Sequence, residues 1–231
     1  MDIKTCFLLF FIYSFIGWIL EVIYSLYDDK KFVNRGFLIG PYCPIYGLGS
    51  VLILVLLKDF AHHPVTLFIN GVVICSVLEY FTSFIMEKLF KARWWDYSNR
   101  KFNLNGRICL ETMIPFGVGI LLLWYVVNPF MLKMLALIPN NIQIIIMIVI
   151  LIFMIMDIIV SFNIINSYKK TIRKISGRDM TIDVNNYVKG VFEQESALKR
   201  RLLLAFPKFS ISDIKEKIKN STINRNIDKN N

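Results

Sequence analysis

Residues 142–166 read IQIIIMIVILIFMIMDIIVSFNIIN, with Asp157 as the only formal charge and neither Gly nor Pro. About 20 such residues cross the ~30 Å hydrocarbon core of a bilayer as a helix. The run is apolar on every side, so it has no face to offer water. It reads as a membrane span.

Four more segments resemble it. They cover about residues 6–27, 40–57, 65–90 and 108–132. The expected fold is therefore all-α and integral to the membrane, with five transmembrane helices. The segment at 40–57 is short, and Pro41, Pro44, Gly47 and Gly49 crowd its first half, which predicts a bent helix or a tilted entry. Composition agrees: 55% of the 231 residues are hydrophobic and only 19% charged, where a soluble domain carries about a quarter. That excludes an ordinary soluble enzyme and a disordered chain. Met1-Asp2-Ile3-Lys4 is a poor basic leader and no small-residue cleavage site follows it, so no secretory signal is expected.

The net charge of +10 is explained by topology and anionic lipid, not by nucleic acid. Lys30, Lys31 and Arg35 follow the first span. Lys88, Lys91, Arg93, Arg100, Lys101 and Arg107 follow the third, and Lys169, Lys170, Arg173, Lys174 and Arg178 follow the fifth. The other side carries only Lys4, Lys58 and Lys133. The positive-inside rule then places the N-terminus outside and the C-terminus in the cytoplasm. Trp94, Trp95 and Tyr97 are expected at the cytoplasmic interface.

Two segments echo each other. Leu20-Glu21 with Ser25 matches Leu78-Glu79 with Ser83 at an offset of 58. Lys31-Phe32 with Gly36 matches Lys101-Phe102 with Gly106, and Gly47 and Gly49 match Gly117 and Gly119, both at 70. The 12-residue difference is an insertion around Arg93-Trp94-Trp95-Asp96-Tyr97-Ser98. Each copy is helix, basic loop, Gly-bearing helix. This predicts a parallel two-helix repeat, one copy at about 6–57 and the other at about 65–132. The transmembrane domain then spans 1–167, and a basic tail occupies 168–219. The tail's Val188, Val191, Phe192, Leu198, Leu202 and Phe206 form an apolar stripe, the mark of an amphipathic helix on lipid or a partner. A short charged helix is expected at 213–219. Residues 220–231 are expected to be disordered.

Charges inside spans cost about 2.5–3.5 kcal/mol each at the helix centre. Glu21, Glu79, Glu111 and Asp157 fall within spans and Glu87 near an end. Ser14, Gly17, Glu21 and Ser25 share one helix face; so do Ser76, Glu79, Ser83 and Glu87, and so do Arg107, Glu111, Pro115 and Gly119. Small and hydroxyl neighbours point to helix–helix contact rather than lipid. The expectation is an acidic cluster in the cytoplasmic half, entered by Arg35 and Arg107. Two readings stand side by side. The cluster is a substrate or proton site, with an unpaired Glu79 as a candidate proton carrier, or it is a set of structural ion pairs, Glu21 with Arg35 or Arg107 and Arg107 with Glu111.

Other chemistry is sparse. His62-His63-Pro64 reads as a solvated turn, and no third metal ligand lies near it, so neither metal nor cofactor is expected. Cys6, Cys43, Cys75 and Cys109 form no CxxC pair and read as reduced packing residues. No phosphate-binding P-loop, HExxH or GxSxG is present, so the chain is not expected to be an enzyme.

Longer motifs point to one family. Gly17-Trp18 with Glu21, Asn34-Arg35-Gly36-Phe37-Leu38 with Gly40-Pro41, and Pro44-Ile45-Tyr46-Gly47 belong to the pattern. So do Leu78-Glu79-Tyr80, Met86-Glu87, Arg93-Trp94-Trp95-Asp96-Tyr97-Ser98 and Asn103-Leu104-Asn105-Gly106-Arg107-Ile108-Cys109-Leu110-Glu111. Over about residues 11–124 the chain resembles the bacterial membrane-protein family labelled putative ABC-transporter type IV (CmpB-type permease). The resemblance implies a permease and carries over no catalytic residue. If ABC-type, a separate ATPase subunit must dock on the loop around Arg93–Arg107 or on the basic tail, and the chain would work as a dimer or with another membrane subunit. The alternative is a non-transporting scaffold or regulator.

Orientation is open to direct measurement. With the native cysteines replaced, Lys101→Cys is expected to label from the cytoplasm and Lys133→Cys from outside. Labelling of both from one face contradicts the charge rule.

Overall fold

The computed structural model describes residues 1–28, 30, 32, 34, 36–90, 92–93, 95–176 and 210–211. Helix α1 runs Ile3–Asp28, α2 Pro44–Leu56 and α3 Pro64–Phe90, with a 3-10 turn at Lys58–Phe60 between the last two. Short strands β1 (Ala92–Arg93), β2 (Asn103–Leu104) and β3 (Ile108–Cys109) follow. Helix α4 (Leu110–Leu122) continues through a π-helical turn at Leu123–Val127 into α5 (Asn128–Ala136). Helix α6 covers Asn140–Ser176, and β4 is Ser210–Ile211. β2 pairs antiparallel with β3 as a hairpin, and β1 pairs antiparallel with β4.

Among the described residues, four helical stretches are long and apolar enough to cross a membrane: Ile3–Tyr27, Pro64–Leu89, Leu110–Ala136 and Asn140–Ile164. The expected segment at 40–57 is represented by α2, which is apolar but only 13 residues long. That is about 20 Å of helix, short of a full hydrocarbon core. The prolines do not bend it. Pro44 occupies the first turn, where its missing N–H costs nothing, so the helix starts there instead of kinking. Pro115, by contrast, lies inside α4. The charged start of the tail is not a separate element: α6 continues through Lys169, Lys170, Arg173 and Lys174 to Ser176. The amphipathic helix expected over Val188–Phe206, the one expected at 213–219 and the last twelve residues lie outside the described residues, as do Arg35 and Trp94. Arg93 is described in its backbone alone, within β1.

Packing is closest between α1 and α2 and between α3 and α4. Glycines make the approach. A Cβ on Gly47 would overlap the Phe10 carbonyl oxygen and the Ser14 hydroxyl, and one on Gly17 would overlap the Tyr46 ring. Across the second pair, a Cβ on Gly117 would overlap the Phe68 ring. Leu9 and Leu67 are both fully buried, each in its own cluster: Leu9 with Leu8, Tyr13, Leu54 and Leu135, Leu67 with Ile53, Leu57 and Ile120. The outer faces of the long helices are strongly apolar and exposed, as lipid-facing surfaces are. Polar anchors hold the ends: Tyr13 donates to the Asn128 side chain at 2.8 Å, and the Lys4 ammonium bonds the Asn140 side chain.

Two glycines separate packing from propensity. Gly47→Ala is expected to destabilise the purified protein by about 1–3 kcal/mol through overpacking. Gly119→Ala, where a Cβ meets nothing within 4 Å, should leave stability unchanged or raise it. Thermal melting in detergent compares them, and equal melting temperatures would contradict this packing.

Candidate functional site

The side chains that α1 and α3 turn toward their neighbours include two carboxylates. On α1, Glu21 stands one turn beyond Gly17. The space left by Gly17 admits the Tyr46 ring from α2, and the Tyr46 hydroxyl donates to Glu21 Oε1 at 2.5 Å. On α3, Glu79 is buried, and its Oε1 accepts from the Tyr97 hydroxyl at 3.3 Å. Among the described residues, Glu79 Oε2 has no partner, and neither has the hydroxyl of buried Ser76, one turn earlier on the same face. Among the described residues, no Lys, Arg or His forms an ion pair with Glu21 or Glu79.

Tyr97 comes from the stretch read as an insertion. Its backbone N–H donates to the Gly106 carbonyl at 2.8 Å, and the Trp95 indole donates to the Arg107 carbonyl at 3.0 Å. Asp96 accepts from the Ser98 backbone N–H, and Asn103 bonds the Arg100 carbonyl and the Gly106 N–H. The turn closes at Asn105 and Gly106, with φ of 54° and 67°, the left-handed region that Asn and Gly tolerate best. The Asn105 side chain donates to the Tyr80 hydroxyl at 2.9 Å, fastening the loop to α3. The loop thus folds on itself and aims one phenol inward. Burial first, then the acidic groups of Glu79, Cys109 and Glu21, raise the Tyr97 phenol well above its ordinary pKa. Tyr97 therefore stays a donor at any physiological pH. The Tyr97 ring reaches to the buried acid Glu79.

Arg107 is committed elsewhere. Its guanidinium pairs with Glu87 at 2.6 Å, donates to Ser83 at 3.2 Å, and lies over the rings of Tyr80 and Phe84. The expected pairs of Arg107 with Glu21 or Glu111 are thus replaced by one with Glu87. Backbone geometry explains this: Arg107 lies just before the strand β3, so the helical i, i+4 spacing to Glu111 does not apply. Glu111 pairs instead with Arg100 at 3.0 Å, both more than half exposed. It stands in the first turn of α4, outside the buried group.

Asp157 forms a third, separate site. Its carboxylate accepts from the backbone N–H groups of Ile39 and Gly40 at 2.9 and 2.8 Å, from the Tyr42 hydroxyl at 2.6 Å and from Ser161 at 2.9 Å. Four donors saturate it, and they join α6 to the chain leading into α2. It shares no hydrogen-bond partner with Glu21 or Glu79. The expected single cluster of four acids is therefore resolved into three environments, with Glu21 and Glu79 alone sharing one. No group of three or more His, Cys, Asp or Glu that could hold a metal occurs among the described residues.

A family model described as Putative ABC-transporter type IV matches residues 8–162. The chain belongs to this family. The match runs from α1 into α6 and takes in Glu21, Glu79, Glu87, Arg107, Glu111 and Asp157. Together with the four apolar helices, membership makes the chain a multi-pass membrane protein of ABC-transporter type. No curated protein and no solved structure matches it.

Sequence reasoning passed over Tyr46 and Tyr42, the phenols that satisfy Glu21 and Asp157. Tyrosine is common near membrane interfaces, so only its spacing from Gly17 and Glu21 across two helices could have singled out Tyr46. Glu87 stands out in the sequence by its place near a span end, its helix face and the Met86-Glu87 motif, none of which assigns it a partner.

The two ion pairs should differ sharply. Arg107→Ala breaks an ion pair whose side chains are only 10% and 18% exposed, and it is expected to cost about 3–5 kcal/mol. Arg100→Ala, in an exposed pair, should cost no more than about 1 kcal/mol. Denaturant or thermal unfolding in micelles measures both, and similar losses would contradict the burial of the Arg107 pair.

Proposed function

We propose that this chain is the membrane-spanning permease subunit of an ABC-type transporter in a bacterial cytoplasmic membrane. The observation that carries the reading is the pair Glu21 and Glu79: two carboxylates on α1 and α3, close enough to interact electrostatically, each held by a phenol and neither neutralised by a described basic side chain. Family membership supplies the transport context. A pair of acids in a hydrocarbon setting is matched by a cationic or zwitterionic group. In this mechanism the pair is exposed alternately to the two sides of the membrane. Glu111, engaged with Arg100, contributes at the entrance rather than at the pair.

The chain has no catalytic role of its own in this reading. ATP hydrolysis falls to a separate subunit docking on the α3–α4 loop or the basic tail, and the pairing of β1 with β4 brings these two surfaces together. With few spans per chain, a complete pathway requires a dimer or a second membrane subunit. The N-terminus lies outside and the tail in the cytoplasm, as the lysine and arginine bias supports. Helix α2 then counts as the second of five crossings, completed by the residues before it.

The two-helix repeat belongs to the same proposal, and several placements support it. Leu9 and Leu67, both fully buried, stand 58 apart, as do Glu21 and Glu79 and the buried Ser25 and Ser83. Gly47 abuts Phe10 and Gly117 abuts Phe68, the same contact displaced by 70 on one helix and 58 on the other. The copies differ where Tyr46 would recur, because Phe116 stands there. The insertion supplies Tyr97 in its stead. Arg107 with Glu87, and Asp157 with its four donors, serve the structure.

Co-purification of the tagged chain should bring down an ATPase whose hydrolysis depends on it. Solute flux in liposomes containing both should fall at least tenfold with Glu21→Gln while the variant still folds. A chain that is fully active without any ATPase, or a flux indifferent to Glu21→Gln, contradicts the reading.

A further inference from the structure

We infer that Glu79 is a built-in proton-binding site: its buried carboxyl, with no described cation beside it, holds a proton. A protonated Glu79 does not require that the chain transport anything, so the inference goes beyond the permease reading.

The hydrogen bonds carry it. A hydroxyl that donates to an ionised carboxylate makes a short contact, about 2.5–2.7 Å. Tyr46 to Glu21 measures 2.5 Å and fits that class; Tyr97 to Glu79 measures 3.3 Å and does not. The unpartnered atoms agree. Glu79 Oε2 and the Ser76 hydroxyl oxygen are both buried, both without partner among the described residues, and one turn apart on one helix face. An orphaned polar group in an apolar interior costs about 1–3 kcal/mol, and more if charged. A proton on Glu79 lowers this cost: a neutral carboxyl with one unpartnered oxygen is far cheaper to bury than a carboxylate with no cation beside it, and Oε1 remains the acceptor for Tyr97.

The surroundings leave no other counter-charge among the described groups. Glu21 faces Glu79 from α1 and Tyr46 stands on α2. Tyr97 approaches from the loop, with Cys109 beside it, and Cys75 precedes Ser76 on α3 itself. Arg107 is bound to Glu87, Arg100 to Glu111, and Asp157 to its own four donors. Two neighbouring carboxylates without a cation favour retaining one proton between them.

Infrared difference spectroscopy of the full chain in lipid nanodiscs, between neutral and alkaline pH, tests this. The expected result is a protonated-carboxyl C=O band at neutral pH that is lost in Glu79→Gln and kept in Glu21→Gln. Because Glu79→Gln can perturb folding, Tyr97→Phe is the second variant. It should shift the same band to higher frequency, since the carboxyl Oε1 loses its hydrogen-bond donor. Absence of the band in the wild type, its loss in Glu21→Gln with retention in Glu79→Gln, or a band unmoved by Tyr97→Phe overturns the inference. Failure of the flux experiment with an intact band would sink the permease reading alone.

Discussion

A carboxyl group surrounded by hydrocarbon must find its hydrogen-bond donors inside the protein, because the bilayer core has no water to supply them. Three of the acids in this chain meet that demand with phenols. Tyr46 serves Glu21, Tyr97 serves Glu79 and Tyr42 serves Asp157, the last assisted by two backbone amides and Ser161. A phenol is a suitable donor for this task. It is largely apolar, so it packs against helices, and its single hydroxyl carries no charge of its own to be compensated. Each such bond also joins distant parts of the chain, and so doubles as a tertiary tie.

The close helix pairs follow from that requirement. Tyr46 reaches Glu21 only because Gly17 leaves room for its ring, and α2 approaches α1 only because Gly47 lets it settle against Phe10 and Ser14. Without an apolar driving force between helices in lipid, such packing and the bonds it permits hold the bundle. Arg107 follows a different logic. Its charge is answered by Glu87, its remaining donors by Ser83, and its flat faces by Tyr80 and Phe84. An arginine so enclosed is an anchor for the loop that carries Tyr97, since the Arg107 carbonyl also holds the Trp95 indole. The geometry around Glu79 therefore depends on residues that never touch it.

Much of the fold is visible in composition and spacing. The four long spans stand out because hydrophobicity along one helix is a local property: α6 needs no partner to declare itself. Helix faces are equally legible, and Ser76, Glu79, Ser83 and Glu87 do lie along one side of α3, where Ser76, Glu79 and Ser83 are buried. Charge partners were not legible. The spacing of Arg107 and Glu111 suggests a helical pair, yet β3 intervenes and the two take different partners.

What the sequence determined by itself is thus the membrane class, the long helices and the acids that needed explaining, all consequences of local solvation energy. Which acids meet, and through which donors, was decided by the tertiary structure alone. Glu79 is bonded by a residue 18 positions away and Glu21 by one 25 positions away, through elements with different backbones. The physical reason is that hydrogen-bond geometry tolerates only a few tenths of an ångström, while periodicity in a sequence locates a side chain to no better than a helix face.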